Sequence, residues 1–551
     1  MINAIAVLRD NIVEDGDIQL ALLEVSRITG SNAILFDKNN HQYQTIDGDI
    51  LALVNTRPGK AFVSFAAESD KIKSLLEKSS FLQEIFLSDS IDYIYKTSLR
   101  IGFEEKEIYF TNLFLIEFFA FIHNKIEVST IEEAFEILIQ TYTDTKKRKF
   151  RNFKKSSLYL SHDLHVYKGK FFPRFVRSLI NIYSNEGDII IDPFCGSGTT
   201  MLEAALLNRI CYGIDIDPMA VMISQYKLLP KLVKQVSPKS DIDFGNILGD
   251  ELTNKILRKD VKNNTQYFSE ITGDIELIYR NCNSIYDIIL LSDALNKKIK
   301  YRYIGIGNGR YTVELQKRKM SERYFAKKKE LELNSTVIHG LVNDQNTARF
   351  ITLGDASDIK VWPSEKFDLI ITSPPYLPAS SGRETYYSTR AVIYNILDQN
   401  SCDTDREVEP LIRADLLRMN TSAEILAYLS SNKGGNPQKD AMRFERKYEP
   451  TITYLAMMIN FLKNSAIRLK RDGRLVLVVA KQHIFYSSQT QKIEFVLDSE
   501  KLYTELAAYS GLELKESISI KLDKSQAGID KPRGKDEYSE IVLVFAVSEI
   551  R

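Results

Sequence analysis

Short apolar runs alternate with stretches of helical periodicity along much of the chain. Apolar runs of this kind are typical of strands that are buried on both faces of a parallel sheet. Strands that alternate with helices predict an α/β fold with a doubly wound, mostly parallel sheet. From about residue 160 onwards the strand candidates are GDIIID, ICYGIDID, RFITLGDA, KFDLIIT and GRLVLVVA, with LKESISIKL and EIVLVFAV as a closing pair.

Three helix candidates have consequences for the fold. Residues 70–86 are predicted to form one helix because their apolar residues recur at helical spacing. Residues 451–470 form a second candidate, which Gly473 is expected to stop. Residues 314–330, ELQKRKMSERYFAKKKE, form a third candidate, which is strongly basic.

The same pattern divides the chain into parts that differ in how regularly strand and helix candidates alternate. Residues 225–347 and 379–447 interrupt the alternation and are too long for simple connections, and such insertions usually carry function. The predicted parts are an N-terminal α/β accessory domain (1–140), a basic linker (141–160), a catalytic domain in two pieces (161–224 and 348–551) and a large inserted region (225–347), the first candidate for target recognition.

Charge and cysteine content narrow the class of protein. Lys and Arg together number 73 and so do Asp and Glu, so any attraction to nucleic acid must be local. The basic run at 146–155 and residues 317–329 are the candidate contacts, and a solvated linker or helix face is the alternative for each. Four scattered cysteines without a CxxC pair favour a reducing compartment over a disulfide framework or a zinc knuckle.

No segment of the chain predicts a membrane partner. The N-terminal residues lack the layout of a signal peptide. The most apolar run, Phe110–Ile122, is too short to span a bilayer and contains Glu117. We therefore expect a cytoplasmic protein.

The sequence DPFCGSGTT, from Asp192 to Thr200, is the strongest local signal. Glycines between a strand and a helix let a ligand approach the backbone, and the helix N-terminus offers free N–H groups to an anionic group. A P-loop would need a lysine that is missing, and Met201 stands where a dinucleotide fingerprint needs its third glycine. The pattern therefore predicts an adenosine ligand without a pyrophosphate, and S-adenosylmethionine fits. Asp215 ends the next strand, where it can accept the ribose hydroxyls, and Asp355 ends the third, where it can accept from the adenine amino group.

The second signal is ITSPPYLP, which follows the apolar strand KFDLII. Two prolines stop a buried strand and leave rigid carbonyl groups at its carboxyl end, where ligands of open α/β sheets bind. Ser373 and such a carbonyl could accept hydrogen bonds from an amino group, and Tyr376 could stack on the base that carries it.

Together, DPFCGSGTT and TSPPY resemble the DNA amino-methyltransferases, which methylate cytosine at N4 or adenine at N6 with S-adenosylmethionine. The resemblance covers roughly residues 160–225 and 348–548 and implies a class I methyltransferase-like sheet with an antiparallel last strand. Serine at the head of the tetrapeptide is commoner in the cytosine-N4 branch. The implied cofactor-binding residues are Lys168, Asp192, Phe194, Gly196, Ser197, Gly198, Asp215 and Asp355, and the implied catalytic residues are Ser373, Pro374, Pro375 and Tyr376.

A segment upstream of the glycine loop, His162–Ile180, resembles the part of the family that packs over the methionine end of the cofactor. His165, Lys168, Lys170 and Pro173 fall on matching positions. One large branch of the family places the SPPY segment before the glycine loop, and this chain departs from that order. The target-recognition region of that branch is therefore not carried over.

Other functions stay open at this point. A tRNA guanine-N2 methyltransferase has a similar glycine loop, but it carries an acid or amide where this chain has Ser373. A non-catalytic nucleic-acid-binding subunit is the second alternative. The expected chemistry needs no metal, and none of the cysteines follows a proline as carbon-5 methylation of cytosine requires. The expected partner is DNA, alternatively tRNA, and a cognate restriction endonuclease could accompany the protein; the sequence does not fix the oligomeric state.

Overall fold

A computed structural model of the chain describes residues 1–9, 15–36, 61–101, 104–123, 128, 130–143, 159–167, 170–228, 265–303, 311–341, 349–377, 393, 408–430, 437–486, 493–521 and 539–549. The basic run at 146–155 and Lys168 lie outside these residues.

The N-terminal part consists of β1 (Ile2–Leu8), α1 (Asp15–Thr29), β2 (Ile34–Phe36), β3 (Phe62–Ala67), α2 (Ser69–Lys78), β4 (Leu82–Leu87), β5 (Lys96–Ile101), β6 (Glu104–Phe110), α3 (Asn112–His123) and α4 (Ile131–Thr143). Its strands form a six-stranded antiparallel sheet in the order β2-β3-β1-β4-β6-β5. Two apolar helices, α3 and α4, pack against each other.

The elements that follow build a second sheet and an inserted region. The sheet elements up to the insertion are α5 (Pro173–Tyr183), β7 (Ile189–Asp192), α6 (Thr199–Leu206), β8 (Ile210–Asp215) and α7 (Pro218–Leu228). The described insertion comprises α8 (Thr265–Arg280), α9 (Ile285–Lys298), β9 (Ile299–Tyr303), β10 (Tyr311–Leu315) and α10 (Met320–Leu341). The chain continues with β11 (Arg349–Leu353), β12 (Phe367–Thr372), α11 (Pro410–Leu416), α12 (Asn420–Ser430), α13 (Pro437–Arg468), β13 (Leu469–Ala480), β14 (Gln482–Tyr486), β15 (Ile493–Asp498), α14 (Ser499–Tyr509), β16 (Leu512–Lys521) and β17 (Ser539–Val547).

The second sheet has seven strands among the described residues, in the order β11-β8-β7-β12-β13-β17-β16. The first five strands of this order, β11, β8, β7, β12 and β13, pair in parallel, and β17 is antiparallel to both of its neighbours, β13 and β16. This confirms the predicted α/β fold, mostly parallel with an antiparallel last strand. From β7 the chain continues to β8 and β11 on one side of the sheet, and from β12 it continues to β13 on the other side. The strand order therefore reverses between β7 and β12, and sheets of this type bind ligands at the carboxyl ends of the two strands at such a switch point.

Buried polar contacts connect the N-terminal part to α5. The carboxylate of Glu117 accepts from Arg9 Nη1 at 2.6 Å and pairs with Arg174. The carboxylate of Glu24 accepts from Asn181 Nδ2 at 2.7 Å. Apolar side chains of α1, α5 and α6 belong to one buried cluster, so the N-terminal part is packed directly on the layer that supports the glycine loop.

Two helix predictions were wrong in their limits. Residues 70–86 contain α2 followed by β4, which lies at the centre of the first sheet because FLQEIF is apolar enough to be buried there. Helix α13 begins at Pro437, well before residue 451, and continues through Pro450.

Gly473 does not stop α13, which ends at Arg468, but lies inside β13. A Cβ atom at this position would come within 2.9 Å of the Phe367 carbonyl oxygen. The glycine therefore allows close approach to β12.

No described helix is long and apolar enough to cross a membrane.

Candidate functional site

The glycine loop between β7 and α6 has a backbone that favours glycine. Gly196 and Gly198 have φ values of +50° and +74°, a region that other residues rarely adopt. A Cβ atom on Gly198 would lie 2.7–2.9 Å from atoms of Ser224, so α7 leaves no room for a side chain. Gly198 is the N-cap of α6, and the first N–H groups of the helix are directed at this end of the sheet.

Asp192 joins the glycine loop to the end of β12. Its Oδ1 accepts from Phe194 N at 3.1 Å and from Thr372 Oγ1 at 2.6 Å, and its Oδ2 accepts from Thr200 Oγ1 at 2.5 Å. Burial raises the pKa of Asp192 to about 6, although these hydrogen bonds partly oppose the increase. The carboxylate therefore holds the two predicted motifs, 180 residues apart in sequence, against each other.

Asp215 supports the loop from the next strand. Its Oδ2 accepts from Gly196 N and its Oδ1 accepts from Asp217 N, both at 2.8 Å. Burial raises the pKa of Asp215 to about 7. Each carboxylate oxygen keeps a second lone pair, so capacity for a ribose hydroxyl remains.

A small cavity lies between the glycine loop and the turn that follows β12. The side-chain hydroxyl of Thr199, at the start of α6, is buried there with no hydrogen-bond partner among the described residues. The cavity is lined by Lys170, Phe171, Asp192, Phe194, Cys195, Gly196, Ser197, Thr199, Thr200 and Ser373.

The turn after β12 places Ser373 in this cavity and exposes Pro375 and Tyr376 at the surface. Pro374 is buried, Pro375 is exposed, and the Tyr376 side chain is 38% exposed. The Tyr376 ring meets the ring of His483 edge-on, with centroids 6.4 Å apart. Its hydroxyl interacts with the side chains of Ser373 and Glu540, and burial is the main reason why the pKa of Tyr376 is raised.

The remaining predicted cofactor residues do not line this cavity. Gly198 ends the glycine loop as the N-cap of α6, and Asp215 supports the loop from β8 by accepting from Gly196 N. Asp355 is buried at the tip of β11, where its Oδ1 accepts from Ser357 N at 2.7 Å and the preceding Gly354 N donates to the Asp215 carbonyl. Lys168 lies outside the described residues.

The segment before α5 contributes more than the motifs indicated. Lys170 Nζ donates to the backbone carbonyls of His162 and His165, and burial lowers its pKa to about 8. His165 Nε2 lies 2.9 Å from Ser292 Oγ of the insertion. The resemblance drew attention to Lys170. Phe171, Thr199 and Thr200 lie within the segments that the sequence singled out, but no binding role was predicted for them.

A buried cluster around Glu203 fixes the same segment to α6. The Glu203 carboxylate accepts from Tyr159 Oη at 2.6 Å, lies 2.6 Å from His162 Nε2 and accepts from Arg177 Nη1 at 3.0 Å. Lys227 on α7 is fully buried and donates to Ser197 Oγ at 3.2 Å. These contacts set the position of both walls of the cavity.

The basic segment 314–330 is divided between internal ion pairs and exposed side chains, of which Arg318 lies 3.9 Å from the Glu322 carboxylate. Lys327 pairs with Asp163 at 2.6 Å and Lys328 pairs with Asp287 at 2.6 Å, so both serve the fold. Lys317, Arg318 and Lys319 are exposed just before α10, and Lys329 is exposed within it.

The sequence matches two family models. Residues 28–226 match a family described as DNA methylase, and residues 176–285 match the RMKL-like methyltransferase domain. The first match includes the glycine loop and supports S-adenosylmethionine as the cofactor.

Several curated relatives are named as methyltransferases. The type II methyltransferase M.MjaII of Methanocaldococcus jannaschii is 38% identical over 20% of this chain and 22% of its own length. The tRNA (guanine(10)-N2)-dimethyltransferase of the same organism is 31% identical over 24% of this chain and 38% of its own length. The type II methyltransferase M.BsoBI of Geobacillus stearothermophilus is 25% identical over 48% of this chain and 60% of its own length. The match thus spans less than two thirds of each relative.

Solved structures are more distant. TrmN from Thermus thermophilus aligns with 99% of this chain and all of its own at 11% identity and a TM-score of 0.29, which is too low to bear on function.

Proposed function

We propose that this chain, whose residues 28–226 match a family described as DNA methylase, transfers a methyl group from S-adenosylmethionine to an exocyclic amino group of a DNA base. The observation that supports this most is the cavity that the glycine loop shares with Ser373 of the TSPPY turn. The Thr372–Asp192 hydrogen bond adds to it by fixing the two motifs against each other.

The residues of the cavity suit the cofactor. Glycines at positive φ leave the backbone N–H groups open to a ligand, and Thr199 supplies a buried hydroxyl with unused capacity. Asp215 and Asp355, on neighbouring strands, offer carboxylates to ribose and adenine. Phe194 and Phe171 add apolar surface. We propose that these residues, with Gly196, Ser197, Gly198 and Asp192 as the framework, hold S-adenosylmethionine.

The bound cofactor supplies an electrophilic methyl group on a sulfonium. Ser373 Oγ and the Pro374 carbonyl would accept hydrogen bonds from the amino group and orient its lone pair, which is otherwise delocalised into the base. With the amino group held in this way, its lone pair would form the new N–C bond as the C–S bond of the cofactor breaks with its electron pair on sulfur, and one amino proton would leave to water. Tyr376 and Pro375, exposed beside Ser373, would stack on a base that has been flipped out of a duplex.

Within DNA, we favour cytosine N4 over adenine N6 because serine heads the tetrapeptide. The exposed residues Lys317, Arg318 and Lys319 are the proposed contacts to the phosphate backbone. The type II names of two relatives favour a restriction-modification setting with a partner endonuclease.

One observation favours a second candidate. The tRNA (guanine(10)-N2)-dimethyltransferase relative supports methylation of a guanine amino group in tRNA. A third candidate, a non-catalytic binding subunit, is less favoured because the TSPPY turn is intact and Ser373 lines the cavity.

Methyl transfer to two acceptors tests the proposal. The full chain is incubated with cofactor carrying a deuterated methyl group and either DNA amplified in vitro, which contains no methylated base, or unmodified tRNA. We expect labelled N4-methylcytosine or N6-methyladenine by mass spectrometry of nucleosides. Label confined to N2-methylguanosine of tRNA would contradict the DNA assignment. The Ser373→Ala, Tyr376→Ala double variant should lose transfer but keep its affinity for S-adenosylhomocysteine, and retained transfer would overturn the assigned roles.

A further inference from the structure

Strand β17 begins beside the TSPPY turn because of the sheet order. Strands β12 and β13 are parallel neighbours, so both end at the same edge. Strand β17 is antiparallel to β13, and Glu540 pairs with Ala480, the last residue of β13. The topology therefore brings a carboxyl group from near the end of the chain to the edge where Ser373 and Tyr376 emerge.

The side chains at this edge form a small polar group, here called the edge cluster, that consists of Ser373, Tyr376, His483 and Glu540. The Tyr376 hydroxyl interacts with both Ser373 and Glu540. His483 is buried and supports the Tyr376 ring edge-on. Glu540 is half-buried. The edge cluster connects to the proposed cofactor cavity through Ser373, which lines it.

The described groups that face Glu540 leave its carboxyl without a cationic partner in the edge cluster. Burial raises the pKa of Glu540 to about 7 and lowers the pKa of His483 to about 4, so His483 is neutral at pH 7. Tyr376 within the cluster and Tyr503, which approaches it from α14, have pKa values raised by burial and are neutral as well. The nearby Lys481 donates through Nζ to Ser519 Oγ at 3.2 Å.

We propose that Glu540 is a specificity-determining residue that binds the ring edge of the target base beside its amino group. This inference rests on the proposed function and names a contact of the same site. Ser373 and the Pro374 carbonyl take one amino hydrogen, and the carbonyl oxygen of the Glu540 side chain takes the other.

When its carboxyl is protonated, Glu540 discriminates between bases. Cytosine N3 and adenine N1 are acceptors next to an amino donor, and a neutral carboxyl presents the matching donor and acceptor. Guanine presents two donors, N1–H and the N2 amino group, which match an ionised carboxylate instead. A neutral Glu540 therefore favours cytosine or adenine over guanine, and ionisation above pH 7 removes the donor.

Two substitutions at Glu540 test whether the protonated carboxyl is the form that binds the base. Glu540→Gln keeps a donor and an acceptor in the same shape, as in the neutral acid, whereas Glu540→Ala removes both. Glu513→Gln, at the opposite end of the β16–β17 pair, is the control. Transfer to in-vitro amplified DNA is measured from pH 6 to pH 8.5 at saturating cofactor. Affinity for S-adenosylhomocysteine is measured at each pH, because Asp192 and Asp215 titrate in the same range. Thermal unfolding confirms that each variant is folded.

We expect kcat of the wild type to fall as the pH rises above 7, by about tenfold for each pH unit. Glu540→Gln should stay within about threefold of the wild type at pH 6.5 and show no such decline, since its amide does not ionise. Glu540→Ala should lose about 10- to 100-fold in kcat at pH 6.5 with unchanged affinity for S-adenosylhomocysteine. The control should behave as the wild type.

The outcomes separate the two levels of the proposal. Suppose that the wild type methylates DNA. The role of Glu540 would then be overturned, with the proposed function left standing, if Glu540→Gln were as inactive as Glu540→Ala or if Glu540→Ala were fully active. A wild type that methylates only guanine in tRNA would overturn both.

Discussion

Replacing Thr372 by valine removes the hydroxyl that connects the end of β12 to the end of β7 while keeping the branched shape that the strand requires. Thr372 is fully buried and donates to Asp192 Oδ1 at 2.6 Å. A hydrogen bond to a charged group contributes about 1.5–3 kcal/mol to stability, and one to a neutral group contributes about 0.5–1.5 kcal/mol. The free energy of unfolding should therefore decrease by an amount that depends on the ionisation of Asp192.

The direction of the pH dependence follows from the pKa of Asp192, which burial raises from 3.8 to about 6. A raised carboxyl pKa means that the folded state holds the proton more tightly, so this carboxyl favours folding at low pH and loses that contribution as the pH rises through about 6. The Thr372 hydrogen bond opposes the increase, so its removal costs most when Asp192 is ionised. We expect a loss of about 1.5–3 kcal/mol at pH 8 and about 0.5–1.5 kcal/mol at pH 5.

Urea unfolding of Thr372→Val and the wild type at both pH values measures this difference. Thr352→Val, at an exposed strand position in β11, is the matched control and should change stability by less than about 0.5 kcal/mol. Methyl transfer by Thr372→Val should also fall, by roughly 10- to 100-fold, because Ser373 follows directly on the displaced strand end. An equal loss of stability at pH 5 and pH 8, or a loss no larger than that of the control, would refute the proposed link between the motifs.

Further predictions concern the loop, its support and the basic surface. Gly198→Ala should weaken binding of S-adenosylhomocysteine at least about tenfold in calorimetry, because its φ of +74° and the contact with Ser224 both exclude a Cβ; unchanged affinity would contradict this. Glu203→Gln should lower the free energy of unfolding in urea by about 3–5 kcal/mol because it leaves Arg177 buried without its anion, and a loss below about 1 kcal/mol would be inconsistent with that contact. Replacing Lys317, Arg318 and Lys319 by alanine should reduce the slope of log affinity for DNA against log salt concentration by about 3, and an unchanged slope would exclude DNA contact by these three residues. Lys327→Ala should instead reduce stability, because it breaks the ion pair with Asp163.

The sequence is sufficient to predict features that depend on neighbouring residues. The strand, glycine bend and helix of DPFCGSGTT appear where the pattern placed them, and the TSPPY turn ends a buried strand as two prolines require. The sheet class follows from the alternation of elements.

Contacts between distant residues could not be predicted in this way. Nothing local indicates that Thr372 donates to Asp192 or that Glu540 reaches Tyr376, because both contacts depend on the strand order. The helix predicted for residues 70–86 failed because its second half is apolar at a spacing that suits a central strand as well, and tertiary burial decided between them. Gly473 was interpreted as a helix stop because its close approach to β12 is visible only in three dimensions.

The crystal structure of the full chain with S-adenosylhomocysteine tests most directly whether the two motifs build one site. We predict that the ligand occupies the cavity between Gly196 and Ser373, with its carboxylate at the start of α6, its ribose at Asp215 and its sulfur towards Ser373. A ligand bound elsewhere, or bound at the glycine loop with its sulfur directed away from the TSPPY turn, would contradict the proposed methyl transfer.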